Sequence, residues 1–139
     1  MGITRKIIKE RNFLLTIIRD GADDESLSED IREAQKEIKD IHPLVELADC
    51  SEITDLSGFT EKGVTMAATQ EHDRKPYKQD RLAILVSTDE VYAMASKYKA
   101  ISIYYLADVQ IFRDFHAAVE WLGLADIEKE IDQLRKGEE

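Results

Sequence analysis

One cysteine, three histidines and a knot of carboxylates are the side chains best suited to chemistry in this chain of 139 residues. Cys50 lies in LVELADCSEITDLSG (Leu44–Gly58), flanked by Asp49, Ser51, Glu52 and Asp55. A thiolate paired with a histidine can act as a nucleophile, but it needs a third orienting group and an oxyanion site. Cys50 has neither beside it in sequence, and a thiol packed at a strand end explains it as well. His42, His72 and His116 are spaced too widely for a zinc helix or finger. Asp49, Glu52 and Asp55 could hold a hard cation or work as an acid/base pair, yet they miss the glycine-bracketed pattern of a calcium loop. Solvated turn carboxylates are the plainer reading. Gly58 and Gly63 stand alone, so no glycine-rich phosphate cradle is present. The expectation is a protein without catalytic residues, metal or cofactor.

Composition narrows the partners. A formal net charge of −10 opposes nucleic-acid binding, which needs clustered Lys and Arg to neutralise phosphates. The basic residues are instead interleaved with carboxylates, as in Glu71–Lys75. The same charge disfavours anionic lipid surfaces. The N-terminus lacks the apolar core of a signal peptide, Lys6 stands where a myristoylation signal needs Ser or Thr, and no apolar run approaches a membrane span. A lone cysteine cannot form an internal disulfide, so a cytoplasmic location is expected. The length suits one domain that buries roughly 65–70% of its unfolded surface.

Hydrophobic spacing then supplies the elements. Two apolar clusters, Ile7-Ile8 and Phe13–Ile18, flank Lys9–Asn12, where Asn12 tolerates left-handed backbone, and this predicts a β-hairpin. Ser26 and Glu29 have capping-box spacing, and Leu27, Ile31, Ala34, Ile38 and Ile41 make one helical stripe that His42-Pro43 ends. A strand at Leu44–Ala48 follows, then a weaker helix over Thr60–Glu71 and a turn around Pro76. RLAILVST (Arg81–Thr88) reads as a strand buried on both faces. Ser87 and Glu90 repeat the capping spacing and open a helix that continues toward Ile101–Leu106. Val109–Phe112 is the last strand, and Asp114 caps a helix that Gly123 ends. Leu124, Ile127, Ile131 and Leu134 mark one more amphipathic helix over Asp126–Lys136. The order is ββαβαβαβα with a C-terminal helix, an α/β fold with a mixed sheet of about five strands.

LAILVST (Leu82–Thr88), VYAMASKY (Val91–Tyr98), VQIFRD…AAVEWLG (Val109–Gly123) and LVELADCSEIT (Leu44–Thr54) together resemble the SpoIIAA-like proteins, also described as STAS/SEC14-like. The likeness spans residues 5–123 and implies a STAS-like domain over 1–123, with 124–139 as a helical extension. It implies an interaction or regulatory module, and its SEC14-like side implies a pocket for a small amphipathic molecule. In anti-sigma-factor antagonists a Ser-Gly at the start of the second helix accepts phosphate, which places the candidate phosphoacceptor at Ser57, before Gly58. This chain has Asp55-Leu56-Ser57-Gly58 where those proteins have Asp-Ser-Ser-Gly, and Ser57 is equally an ordinary capping residue.

The expected ligand or partner surface lies at the strand ends, built from Asp49, Cys50, Ser51, Asp55, Gly58, Ser87, Thr88 and Tyr92. Aromatic residues crowd the last third, and the helix after Ser87 would line a pocket there or pack as core. Trp121 and Leu122 are assigned to the core. The tail helix needs cover from its own domain or from a second copy, with a homodimer preferred.

Overall fold

A computed structural model describes residues 2–72, 81–105 and 108–137. Strands β1 (Ile3–Ile8) and β2 (Phe13–Ile18) form the predicted antiparallel hairpin. It turns through a 3₁₀ segment at Lys9–Arg11, and Asn12 takes the left-handed conformation at φ 52°. Strands β3 (Val45–Asp49), β4 (Arg81–Leu85) and β5 (Asp108–Phe112) then add in parallel, so the sheet runs β1-β2-β3-β4-β5 in chain order. Helices α1 (Asp24–Ile38), α2 (Glu61–His72) and α3 (Asp89–Ser102) make the crossovers. Helices α4 (Phe115–Trp121) and α5 (Glu128–Arg135) follow β5. The expected α/β class, the mixed five-stranded sheet and the element order all hold. The turn around Pro76 and Leu106 lie outside the described residues.

Alternation along the strands sorts the core into two layers. Phe13, Leu15, Ile17, Leu47, Ala83 and Leu85 face α4 and α5. Ile18, Leu82, Ile84, Val86 and Val109 face the crossover helices, and Leu14 packs on Ile38 and Ile41 at the edge of that layer. All six residues of β2 are buried, because it has cover on both faces.

Two helices begin one residue choice away from the sequence expectation. Asp23, not Ser26, caps α1: its carboxylate accepts from the Ser26 amide at 2.7 Å, and Ser26 Oγ accepts from the Asp23 amide at 2.8 Å. Thr88, not Ser87, caps α3, its Oγ1 accepting from the Val91 amide at 3.2 Å. In both cases the cap is the residue whose backbone is still extended. Asp114 caps α4 as expected, and Gly123 ends it at φ 77°. Leu122 is buried, whereas Trp121 is half-buried at the core's edge, beside Phe112 and under the Arg81 guanidinium.

The tail helix finds its cover within the chain. Ile131 is fully buried against the same layer as Phe13 and Leu15, and Leu134 packs beside it. Leu124 and Ile127 of the same apolar stripe also pack on this layer. Three polar ties hold this segment down. Arg11 of the hairpin turn grips Asp126 with two hydrogen bonds of 2.7 and 3.1 Å. His116 Nδ1 meets Glu128 at 2.6 Å. Arg135 Nε donates to Asp49 Oδ2 at 2.9 Å while its guanidinium lies 4.1 Å from the Phe115 ring centroid.

Asp49 is 2% exposed, and removing one partner of a buried ion pair strands the other charge. Arg135→Met and Asp49→Asn should each destabilise the fold by about 2–4 kcal/mol in urea melts. The double variant should cost less than their sum by about 1–3 kcal/mol; strict additivity would show that the pair carries no coupling. A second tie is pH-sensitive. Glu128 foremost, with Glu120 and Asp114, raises the His116 pKa above its ordinary 6.5. A raised folded-state pKa stabilises fully below 6.5, and that contribution fades as pH climbs through the folded value. Unfolding stability should therefore fall as pH rises across this window, and His116→Asn should flatten that slope. An unchanged slope in the variant would remove His116 from the effect.

Candidate functional site

The inner layer is not filled. Between the sheet and α1, α2 and α3 lies a cavity of about 160 Å³. Its cause is readable in side-chain size. β2 and β3 place Thr16, Glu46 and Ala48 on this face, where larger apolar residues would have closed the space, and Ala34 and Ala95 thin the helical walls. Ile31 and Ile38 of α1, Val64 of α2, and Val91 and Met94 of α3 complete the apolar wall. Glu46, Ala48 and Met94 are only half-buried although they line the interior, so a molecule the size of water reaches it.

The roof is pinned by hydrogen bonds that join α1 to α2. Gln70 and Ser28 exchange two bonds of 3.0 Å, and Gln35 Nε2 donates to the Gln70 carbonyl at 2.8 Å. The loop before α2 closes the end nearest β3, sending Ile53, Leu56 and Phe59 into the cavity wall. Asp20 holds this loop by accepting from the amides of Thr54 and Asp55 at 2.9 and 3.0 Å and from Thr54 Oγ1 at 2.5 Å. Those three bonds pull the Asp20 carboxyl below its usual range. Asp24 accepts from Thr60 at both its amide and its hydroxyl, and Thr60 Oγ1 caps α2 at Gly63 N. A Cβ at Gly63 would lie 2.0 Å from the Asp24 carboxyl carbon, so any larger residue there would push that carboxylate off Thr60.

One wall of the cavity is polar. Thr16 Oγ1 donates to Glu46 Oε2 at 3.0 Å. The Tyr98 phenol faces Glu71 and Glu46, and burial first, then these two carboxylates, holds its pKa well above the usual 10. Tyr98 therefore stays protonated at any physiological pH. Asp30 also borders the cavity, hydrogen-bonded and ion-paired to Arg5.

The residues singled out from sequence scatter across the structure. Cys50 lines the cavity. Burial, then the charges of Asp49 and Glu46, push its thiol up to about 12, so it is a protonated packing group and a poor nucleophile. Asp49 points to the opposite face, toward Arg135, and accepts from Ser51 through both amide and hydroxyl. The Asp-x-Ser pattern is thus a strand-end tie. Glu52 pairs with Arg19 at 3.3 Å, and Asp55 accepts from the Ser57 amide at 2.9 Å. The three carboxylates serve three separate jobs, and no group of three or more metal-ligating side chains occurs among the described residues.

Ser57 is exposed, four residues ahead of α2, whose cap is Thr60. Gly58 packs where a Cβ would meet the Ala22 carbonyl at 2.6 Å. Ser87 is exposed, Thr88 is spent as a cap, and Tyr92 is 40% exposed with Arg113 over its ring. Of the eight surface candidates, then, Cys50 alone lines the cavity. Sequence reasoning missed Thr16, Glu46 and Glu71, whereas Tyr98 belongs to the helix after Ser87 that was expected to line a pocket or pack as core. The available signal was Glu46, a charged residue alternating in step with Ala48 on a strand otherwise bound for the core. No helix among the described residues is long and apolar enough to cross a membrane.

Comparisons with family models, with curated proteins and with solved structures each find no match.

Proposed function

We propose that this protein is a non-enzymatic binding module whose cavity takes up a small, largely apolar molecule. The observation that carries the reading is the 160 Å³ space under α1–α3, walled mainly by aliphatic side chains with polar atoms grouped on one wall. Its size bounds the ligand: an engineered cavity of about 150 Å³ accommodates benzene. A one-ring molecule or a short aliphatic chain fits, and a phospholipid does not. The SEC14-like side of the resemblance supports a pocket in this layer; volume narrows what enters it.

A second reading, a STAS-like interaction module switched at Ser57, draws support from one placement. Ser57 is exposed on the very loop that sends Ile53, Leu56 and Phe59 into the cavity wall. A phosphate there would sit beside Asp55, so it would loosen the loop by like-charge repulsion rather than cap a helix.

Thermal-shift titration with toluene tests the first reading. A ligand bound only by the native state should raise stability, by about 2.7 kcal/mol at a hundredfold excess over Kd. Ala48→Leu should abolish that response while itself stabilising by about 0.5–2 kcal/mol, as cavity-filling changes do. No shift with toluene or with other one-ring probes would remove the proposal. For the second reading, Ser57→Asp should lower stability by a few tenths of a kcal/mol and weaken toluene binding; unchanged binding would disconnect the loop from the cavity.

A further inference from the structure

We infer that Asp20-Gly21, in the turn between β2 and α1, is a self-modification site: the Gly21 amide closes on the Asp20 carboxyl to give an isoaspartyl linkage, and Thr54 holds that reaction in check. The nucleophile is open. A Cβ at Gly21 would meet nothing within 4 Å, and its φ of 99° is one that side chains rarely adopt. Its amide donates to no acceptor among the described residues, although the Arg19 and Ala22 amides on either side both do. The electrophile is what the fold restrains. Asp20 is exposed, yet its carboxylate oxygens accept three bonds from the amides of Thr54 and Asp55 and from Thr54 Oγ1. These bonds favour the ionised form, the poorer electrophile, and hold it against the 54–55 loop.

Local opening of that loop lets the ring close. The Gly21 nitrogen bonds to Asp20 Cγ, a Cγ–O bond of the protonated acid breaks, and its hydroxyl leaves as water with the amide proton. Water then adds to either carbonyl of the cyclic imide. Addition at Cγ restores the aspartate; addition at the Asp20 main-chain carbonyl leaves the chain running through Cβ and Cγ. That product has one more carbon in the backbone between β2 and α1, and its carboxylate sits one carbon closer to the chain. It no longer matches the Thr54 and Asp55 donors, so the loop that carries Ile53, Leu56 and Phe59 inward loses its tie. This end of the domain is thereby loosened whatever the cavity binds.

Incubation of the full chain in mildly acidic buffer, followed by peptide mapping that separates isoaspartyl from aspartyl forms, tests the site. The folded wild type should convert far more slowly than a synthetic peptide spanning Ile17–Asp24. Thr54→Val should convert about tenfold faster than wild type, the effect of losing one hydrogen bond to a charged group. Thr54→Ser keeps a hydroxyl and should restore the slow rate. Thr60→Val cuts the neighbouring tie to Asp24 and should stay close to wild type, which separates the Asp20 tie from general loosening of the loop. Wild-type conversion at the peptide's rate, a Thr54→Val rate equal to wild type, or equal acceleration by Thr60→Val would each overturn the inference. The isoaspartyl form of the wild type, isolated by ion exchange, should melt below its parent; an unchanged Tm would overturn the loosening assigned to it.

Discussion

Parallel strands added in chain order dictate most of this structure. When β2 through β5 follow one another across the sheet and each crossover has the same hand, all three crossover helices fall on one face. The other face is then left to whatever comes after β5. In this chain it is α4 and α5, and the burial of Ile131 among Phe13, Leu15 and Leu47 shows how fully they take it. The Asp49–Arg135 pair is the polar counterpart of that packing. It sets a buried carboxylate at the end of a central strand against the last turn of the last helix, and Ser51 occupies the second oxygen.

The two layers differ in kind because of what the strands send to each. The α4/α5 side receives Phe, Leu and Ile from β2 and closes tightly. The crossover side receives Thr16 and Glu46 from neighbouring positions on β2 and β3, and the helices above contribute alanines. A hydroxyl and a carboxylate facing inward cost desolvation, offset in part by their mutual hydrogen bond. These polar and small side chains leave space open where a methyl-rich side chain would have filled it.

The architecture was legible in the sequence to a large degree. The hairpin, the four parallel-strand runs and the helix stripe of Ile31, Ala34 and Ile38 all rest on periodicity, which tertiary context reinforces. Helix starts were less legible, since Asp23 and Ser26, or Ser87 and Thr88, are both good caps and only the backbone conformation decides between them. The site was mostly hidden. Strand ends drew attention because open α/β sheets bind ligands there, and the clustering of Asp49, Glu52 and Asp55 in the chain suggested a shared task. Folding instead sends Asp49 through the sheet to Arg135 and Glu52 sideways to Arg19, while Tyr98, read as one aromatic among many, arrives opposite Glu46. Proximity along the chain says little about company across it.

The placement of α5 has a consequence for biogenesis. Synthesis proceeds from β1 onward, so the hairpin and its first crossovers emerge with Phe13, Leu15 and Ile17 already set on a sheet face that nothing upstream can cover. These side chains stay without intramolecular shelter until residues 115–135 have left the ribosome, more than a hundred positions later in the reading frame. Until then, half of the sheet keeps a bare apolar face, the kind of surface through which partly folded chains aggregate.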